Sequence, residues 1–169
     1  MNKKIQLFVA LLGLFMVTNC WYYSFKGTIP AHINSIAIPN FENQTSEMGI
    51  REEITQKVKL NFIQENILEV KDKKDSDSIL YGVITRINDE PYTYQSSETG
   101  ERVENYQIIV SVEVEWYDNV EDKQLFKQTF TAKEPYDQTG ATDQTRERAI
   151  DQAVETLNDD IINSVLTIW

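Results

Sequence analysis

The sequence contains few residues that could carry out catalytic chemistry. It has one histidine, His32, and one cysteine, Cys20. A zinc site draws several ligands from these residue types, and a catalytic triad needs a histidine beside a nucleophile. A Gly-rich phosphate-binding loop is also missing from the sequence. We therefore expect no enzyme activity, no catalytic residue and no metal site, and we interpret His32 as a solvated residue.

Carboxylates are abundant, so close pairs of them arise by chance. Glu113 and Glu115 are two positions apart and would share one face of a strand, where a solvated face is far commoner than an acid–base pair. Asp72, Asp75 and Asp77 alternate with lysines, and neither a glycine nor a terminal glutamate completes a calcium-binding loop of the EF-hand type. We interpret the glutamate pair as a solvated face and the aspartate group as a turn.

The position of Cys20 favours lipid attachment over catalysis. Lys3 and Lys4 precede an apolar run over residues 5–17, which is too short to span a bilayer. The next residues read Val-Thr-Asn-Cys and resemble a bacterial lipobox, although Asn19 stands where Gly, Ala or Ser is usual. The alternative is an ordinary secretory signal followed by a stray thiol.

These features divide the chain into three parts. We predict a signal peptide over 1–19, an acylated tether over 20–34 and one domain over 35–169, with a covalent lipid on Cys20 and no other cofactor. The formal charge is −11, and loss of the two signal lysines makes it −13. Such a surface repels phosphate backbones, so nucleic acid is an unsuitable partner and membrane contact would depend on the lipid anchor.

Hydrophobic periodicity predicts the elements of the domain. A strand is expected at 35–38, and a helix at 47–66 carries apolar residues every fourth position, widened by Leu60, Ile63 and Ile67. Strands follow at 79–87, 106–117 and 124–133, with a polar hairpin connection over 91–102 and a possible short edge strand over 68–70. A last helix runs from Thr142 or Asp143 to residue 166.

The order β-α-β-β-β-α predicts an α+β fold. We expect a mixed four-stranded sheet with both helices packed on one face, which would bury both apolar helix stripes. The strand at 106–117 alternates cleanly, and its second face is mostly polar, so that face is expected to meet solvent or a partner.

Aromatic residues are numerous at the ends of the chain and in the hairpin. Trp21, Tyr22, Tyr23 and Phe25 follow Cys20 directly, Tyr92 and Tyr94 lie in the hairpin, and Trp169 is the last residue. They could close the core at its ends or contact a partner, since aromatic residues are enriched in interface cores. The sequence favours neither interpretation.

Several segments together resemble a known family. Residues 36–45 read Ile-Ala-Ile-Pro-Asn-Phe-Glu-Asn-Gln-Thr, and they follow an aromatic start at 20–25. Further matching segments are 49–55, 77–82, 90–94 and the closing helix over 147–169. In this order and spacing they are similar to LptE, the outer-membrane lipoprotein of lipopolysaccharide assembly, in its divergent form from non-enterobacterial Gram-negative bacteria.

The resemblance implies a fold and a function. It implies two helices against a four-stranded sheet, in a lipid-anchored protein on the periplasmic side of the outer membrane. Its partner would be the LptD β-barrel, which the family plugs and helps to assemble. Its cargo would be lipopolysaccharide. A basic patch for that cargo cannot be aligned, and Arg51, Lys57 and Arg102 are guesses for contacts with lipopolysaccharide or a partner.

A second resemblance gives an alternative function. Residues 36–43 are also similar to the first strand and loop of CsgG- and TolB-type periplasmic domains. That interpretation implies a lipoprotein of a secretion complex or an activator of a cell-wall synthase. The long third strand and the closing helix favour LptE, and a small hydrolase is disfavoured because a nucleophile and a base are missing.

The lipid attachment can be tested directly. Cells producing the chain should incorporate labelled palmitate into it, and Cys20→Ala should abolish the label completely, because the chain has no other cysteine. A band that stays labelled in the Cys20→Ala variant, or an unlabelled wild-type chain, contradicts the prediction.

Overall fold

A computed structural model describes residues 29–97, 100–138 and 143–167. Its strands and helices, numbered along the chain, are β1 Ser35–Ala37, β2 Glu42–Asn43, α1 Ile50–Gln64, β3 Glu69–Val70, β4 Ser78–Ser97, β5 Gly100–Asp118, β6 Lys123–Tyr136 and α2 Arg146–Leu166. Cys20, the aromatic residues that follow it and Trp169 lie outside the described residues.

The strands form one mixed sheet in the order β3-β1-β4-β5-β6, and β2 also pairs with β4. β1 runs parallel to β3 and β4, and β2 also runs parallel to β4, whereas β5 is antiparallel to both β4 and β6. The predicted α+β class and mixed sheet are confirmed. The possible edge strand at 68–70 is also confirmed, because Glu69 and Val70 pair with the outer side of β1.

The predicted count of four strands is wrong, because the described residues form a sheet of six strands. β2 and β3 supply the extra strands, and each is two residues long. Two residues are too few to show an alternating pattern, and only their hydrogen bonds to β1 or β4 make them strands.

The expected polar connection over 91–102 is also wrong. β4 continues to Ser97 and β5 begins at Gly100, and the two strands pair from Ser78 opposite Asp118 to Ser97 opposite Gly100. β6 ends at Tyr136, opposite Tyr106, so residues 91–97 and 100–105 extend past the third strand as a two-stranded ribbon. We call these residues the arm.

Both helices bury an apolar stripe against the sheet. Ile50, Ile54, Val58 and Phe62 recur every fourth position of α1 and are at most 2% exposed. Leu60 and Ile63 do not widen this stripe as expected, since they are 52% and 58% exposed. At about 100° per residue they lie on the side of α1 opposite the core.

α2 packs across β5 and β6 and beside α1. Its buried stripe includes Ala149, Ala153, Leu157 and Ile161. The helix begins later than expected, because the cap is Thr145, whose side chain accepts a hydrogen bond from the Arg148 amide. This bond satisfies one of the free amides of the first turn.

A close approach between β4 and the chain after β1 requires a glycine. A Cβ added at Gly82 would lie 2.3 Å from the ring of Phe41. Phe41 is 1% exposed, and its amide donates to Thr55 Oγ1 of α1 at 3.0 Å. The ring therefore stacks directly on the strand and cannot move freely aside.

Replacing Gly82 should test this contact. Gly82→Ala should destabilise the domain by about 1–3 kcal/mol, because it overpacks the core, and should lower the melting temperature by several degrees. Phe41→Leu should also destabilise it, by roughly 1 kcal/mol. The double variant should cost clearly less than the two single changes added together, because leucine leaves room for the new methyl group. Additive losses in a thermal-melt comparison contradict the contact.

Candidate functional site

One face of the sheet is left uncovered by the helices. Along β5, Val112, Val114 and Trp116 are fully buried, while the residues between them are partly exposed. In the strand register, residues of β4 and β6 lie beside these partly exposed residues of β5. We define the open sheet face by Tyr81, Val83, Arg86, Glu113, Glu115, Tyr117, Lys127, Thr129, Thr131 and Lys133. The expectation of a polar second face is met.

The carboxylates of the open sheet face are ion-paired. Lys127 Nζ lies 2.8 Å from Glu113 Oε1 and 4.0 Å from Glu115 Oε2. The hydrogen bond that Lys127 donates to Glu113 raises the pKa of Lys127. Arg86 pairs with Glu90 at 2.5 Å on the same strand. Glu113 and Glu115 therefore share one cation, which agrees with the solvated interpretation rather than with an acid–base pair.

The centre of the open sheet face is lined by hydroxyl groups. Ser111 Oγ and Thr131 Oγ1 are joined by a hydrogen bond of 2.9 Å across β5 and β6. Thr131 is exposed, and so is Thr129 on the same face of β6. This face carries balanced charge and hydroxyl groups in a chain whose overall charge is strongly negative. It is suited to contact with a polar surface of another protein.

The arm extends this surface beyond the helices. Among the described residues, 91–97 and 100–105 pair with each other and with no third strand. Tyr92, near its base, is 55% exposed. A two-stranded ribbon is marginally stable in water without a covering layer. The arm is therefore the described part of the sheet with most to gain from a partner.

A polar cluster fixes the base of the arm, and we call it the clamp. Arg146, the first residue of α2, lies 3.0 Å from a carboxylate oxygen of Glu47 and 3.0 Å from one of Asp89. Tyr136 Oη donates to the same Asp89 carboxylate at 2.9 Å. The clamp joins the segment before α1, the middle of β4, the end of β6 and the start of α2.

The clamp shifts the titration of its members. The hydrogen bond to Glu47 and then that to Asp89 raise the pKa of Arg146, which stays charged. Burial and then the hydrogen bond to Asp89 raise the pKa of Tyr136 to about 12, so its hydroxyl remains a donor at neutral pH. The sequence did not reveal this cluster, because its members are up to 99 positions apart.

His32 is not the solvated residue that was expected. Its Nε2 donates to Asp118 Oδ2 at 2.6 Å, and Asp118 is completely buried. Burial opposes ionisation of this carboxyl, but the bond from His32 and the amides of Glu121 and Val120 outweigh it and lower the pKa of Asp118. The pair fastens the segment before β1 to the end of β5.

The same histidine belongs to a group that could hold a metal ion. His32, Asp118 and Glu121 place ligand atoms within 4.8 Å of one another. However, His32 occupies Oδ2 of Asp118, and the amides of Val120 and Glu121 occupy Oδ1. A metal would have to displace these bonds, so the geometry favours a structural cluster.

The guessed basic contacts do not converge on one surface. Arg51 and Lys57 both lie on α1, but six positions rotate them onto different sides of the helix. Arg51 is ion-paired with the adjacent Glu52. Arg102 lies in the arm, opposite Gln95. Their role in binding lipopolysaccharide or a partner stays a prediction.

The carboxyl groups of Glu53 on α1 and Asp151 on α2 meet between the helices. Burial and a side-chain hydrogen bond with Asp151 raise the pKa of Glu53, while Lys57 lowers it slightly. Glu147, Glu155 and Asp159 are exposed on α2, and with Asp151 they form an acidic row at intervals of four. The helical side is therefore the acidic side of the domain, in contrast to the balanced sheet face.

The family model for lipopolysaccharide-assembly LptE proteins matches residues 33–165. The chain belongs to the LptE family. The predicted resemblance is thereby confirmed over most of the chain. No curated protein sequence matches the chain.

Solved structures with this fold are distant in sequence from the LptE-family chain. A Xanthomonas campestris protein has a TM-score of 0.58 at 12% identity and covers 81% of this chain and 88% of its own. A hypothetical Chlamydia trachomatis protein has a TM-score of 0.56 at 8% identity, covering 79% and 95%. The PelC dodecamer of Paraburkholderia phytofirmans gives 0.53 at 12%, covering 84% and 94%. At such identities the likeness shows the fold alone.

Within the described residues, no helix is long and apolar enough to cross a membrane.

The clamp gives a prediction about stability. Arg146→Gln should lower the free energy of unfolding by about 1–2 kcal/mol, because two carboxylates lose a shared hydrogen-bonded cation. The loss should shrink in high salt, which screens the partly exposed pairs. Arg51→Gln is the matched control, since its single ion pair with Glu52 is solvent-exposed and should contribute much less to stability. Equal losses for the two variants in urea unfolding contradict a cooperative clamp.

Proposed function

We propose that this LptE-family chain is a lipid-anchored outer-membrane subunit that plugs and helps to assemble an LptD-type β-barrel for lipopolysaccharide delivery. The role is non-catalytic. The observation that carries the proposal is the family match over 33–165. The unshielded open sheet face and the projecting arm support it, because both are surfaces suited to contact with another protein.

The charge distribution indicates which side meets the barrel. The open sheet face pairs its acids with lysine and arginine, so covering it buries few uncompensated charges. α2 carries an exposed row of carboxylates whose burial would be costly. The open sheet face and the arm are therefore the proposed barrel contact, and α2 is directed toward water.

Affinity purification tests the proposed partner. The tagged chain, extracted in detergent, should recover a large β-barrel protein together with lipopolysaccharide. Thr131→Arg on the open sheet face should lower barrel recovery about tenfold, which corresponds to about 1.4 kcal/mol. Thr156→Arg is the matched control, because Thr156 is exposed on the outward side of α2. Equal recovery in both variants contradicts the proposed contact face.

Depletion tests the proposed process. Loss of the chain should leave lipopolysaccharide in the inner envelope and the barrel misassembled. Normal surface lipopolysaccharide with an intact barrel after depletion contradicts the proposal. Loss of an unrelated secretion product or of cell-wall synthesis, with lipopolysaccharide unchanged, would favour the CsgG- or TolB-type alternative.

A further inference from the structure

The two helices run parallel, so both end at the same end of the domain. Near their beginnings, Arg146 of α2 contacts Glu47, three residues before α1. Near their ends, Asn61 of α1 and Asn163 of α2 line the same groove. The last turn of a helix carries partial negative charge, and neither helix has a basic residue there.

A groove of about 800 Å³ lies between these helix ends. Its apolar lining comes from Ile29, Pro30, Ile67, Ile162 and Leu166. Its remaining lining is rich in amide and carboxylate groups and lacks lysine and arginine. The apolar part of such a groove suits aromatic rings, and its polar groups can accept hydrogen bonds from tyrosine and tryptophan. Its carboxylates suit a lysine or arginine side chain beside those rings.

The acceptors of the groove are concentrated where the helix dipoles end. They include Asn61, Glu65 and Asn66 from the end of α1, and Asp159 and Asn163 from the end of α2. The carboxylates of Glu65 and Asp159 are exposed and belong to no ion pair among the described residues, whereas Glu69, which also lines the groove, pairs with Lys71. A positively charged segment would therefore be attracted to this end of the domain.

The chain itself supplies a segment of that chemistry at the groove. Ile29 lies in the groove wall, and the residues directly before it include Trp21, Tyr22, Tyr23, Phe25 and Lys26. Residues 21–28 contain a cation and no acid, although acids outnumber bases in the whole chain. Aromatic surface, charge and position thus all match the groove.

We propose that the aromatic linker, residues 21–26, docks into this groove and holds the domain close to its lipid anchor. The docking itself does not depend on the proposed acylation of Cys20. Only the position of the domain relative to the membrane rests on that acylation. An extended linker from Cys20 to Ile29 could reach roughly 30 Å. A docked linker leaves almost none of that length free, so the groove end of the domain lies at the membrane surface.

Disulfide trapping tests the docking, because the acylated chain has no free cysteine. The full-length protein carries Ser24→Cys with Asn163→Cys at the groove rim. The control pairs Ser24→Cys with Glu121→Cys, an exposed site beside His32 near the same chain entry but outside the groove. The groove pair should form a disulfide about tenfold faster than the control, because docking raises the effective concentration.

A second comparison shows whether the aromatic residues cause the trapping. Replacing Trp21, Tyr22, Tyr23 and Phe25 by serine should slow the groove pair to the rate of the control. Palmitate labelling of the same cells reports the anchor separately. If the label is missing, acylation is contradicted, and the trapping is repeated with Cys20→Ala so that no third thiol competes and the docking is tested on its own.

Three outcomes would overturn the inference. Equal rates for the two cysteine pairs would show a free linker. A groove-pair rate that survives removal of the four aromatic residues would show that they do not hold the linker there. A groove pair that forms only after residues 168–169 are deleted would show that the C-terminus, which follows Leu166 of the groove wall, occupies the site instead.

Discussion

Burial of one face of β5 is the constraint on which the other parts of the domain depend. This strand lies between β4 and β6, and its inward residues, including the fully buried Trp116, meet α2. A strand presents alternate side chains to opposite faces, so covering one face leaves the other to water or to a partner. The two-helix layer, the open sheet face and the arm all follow from this one-sided arrangement.

The parts that the sequence predicted are those in which local pattern and tertiary burial agree. β5 alternates over many residues, and the buried stripes of α1 and α2 repeat at helical spacing, so their type was evident. The two-residue strands carry no such pattern. The length of the arm was missed because its residues are polar and contain turn formers, and strand pairing with the facing half overrides that composition.

Sequence reasoning found less of the candidate site than of the fold. The polar character of one β5 face was predictable, since the alternate residues of a single strand show it. The clamp was not, because Glu47, Asp89 and Arg146 meet only after α2 has packed beside α1. His32 was misjudged for the same reason, since the carboxylate that holds it is 86 positions away. Contacts between distant residues leave no local pattern.

The attachment of the segment before β1 has a mechanical consequence. His32 is fastened to the end of β5, and the Asp77 carboxylate accepts from the Asn34 and Ser35 amides. β1 then lies between β3 and β4, bonded in parallel on both sides. A pull on the residues before Ile29 would load these bonds along the strand axis, in shear, so several must break together. A pulling force on the N-terminal side is thus borne by β1 and the two strands beside it, and the helices do not carry it.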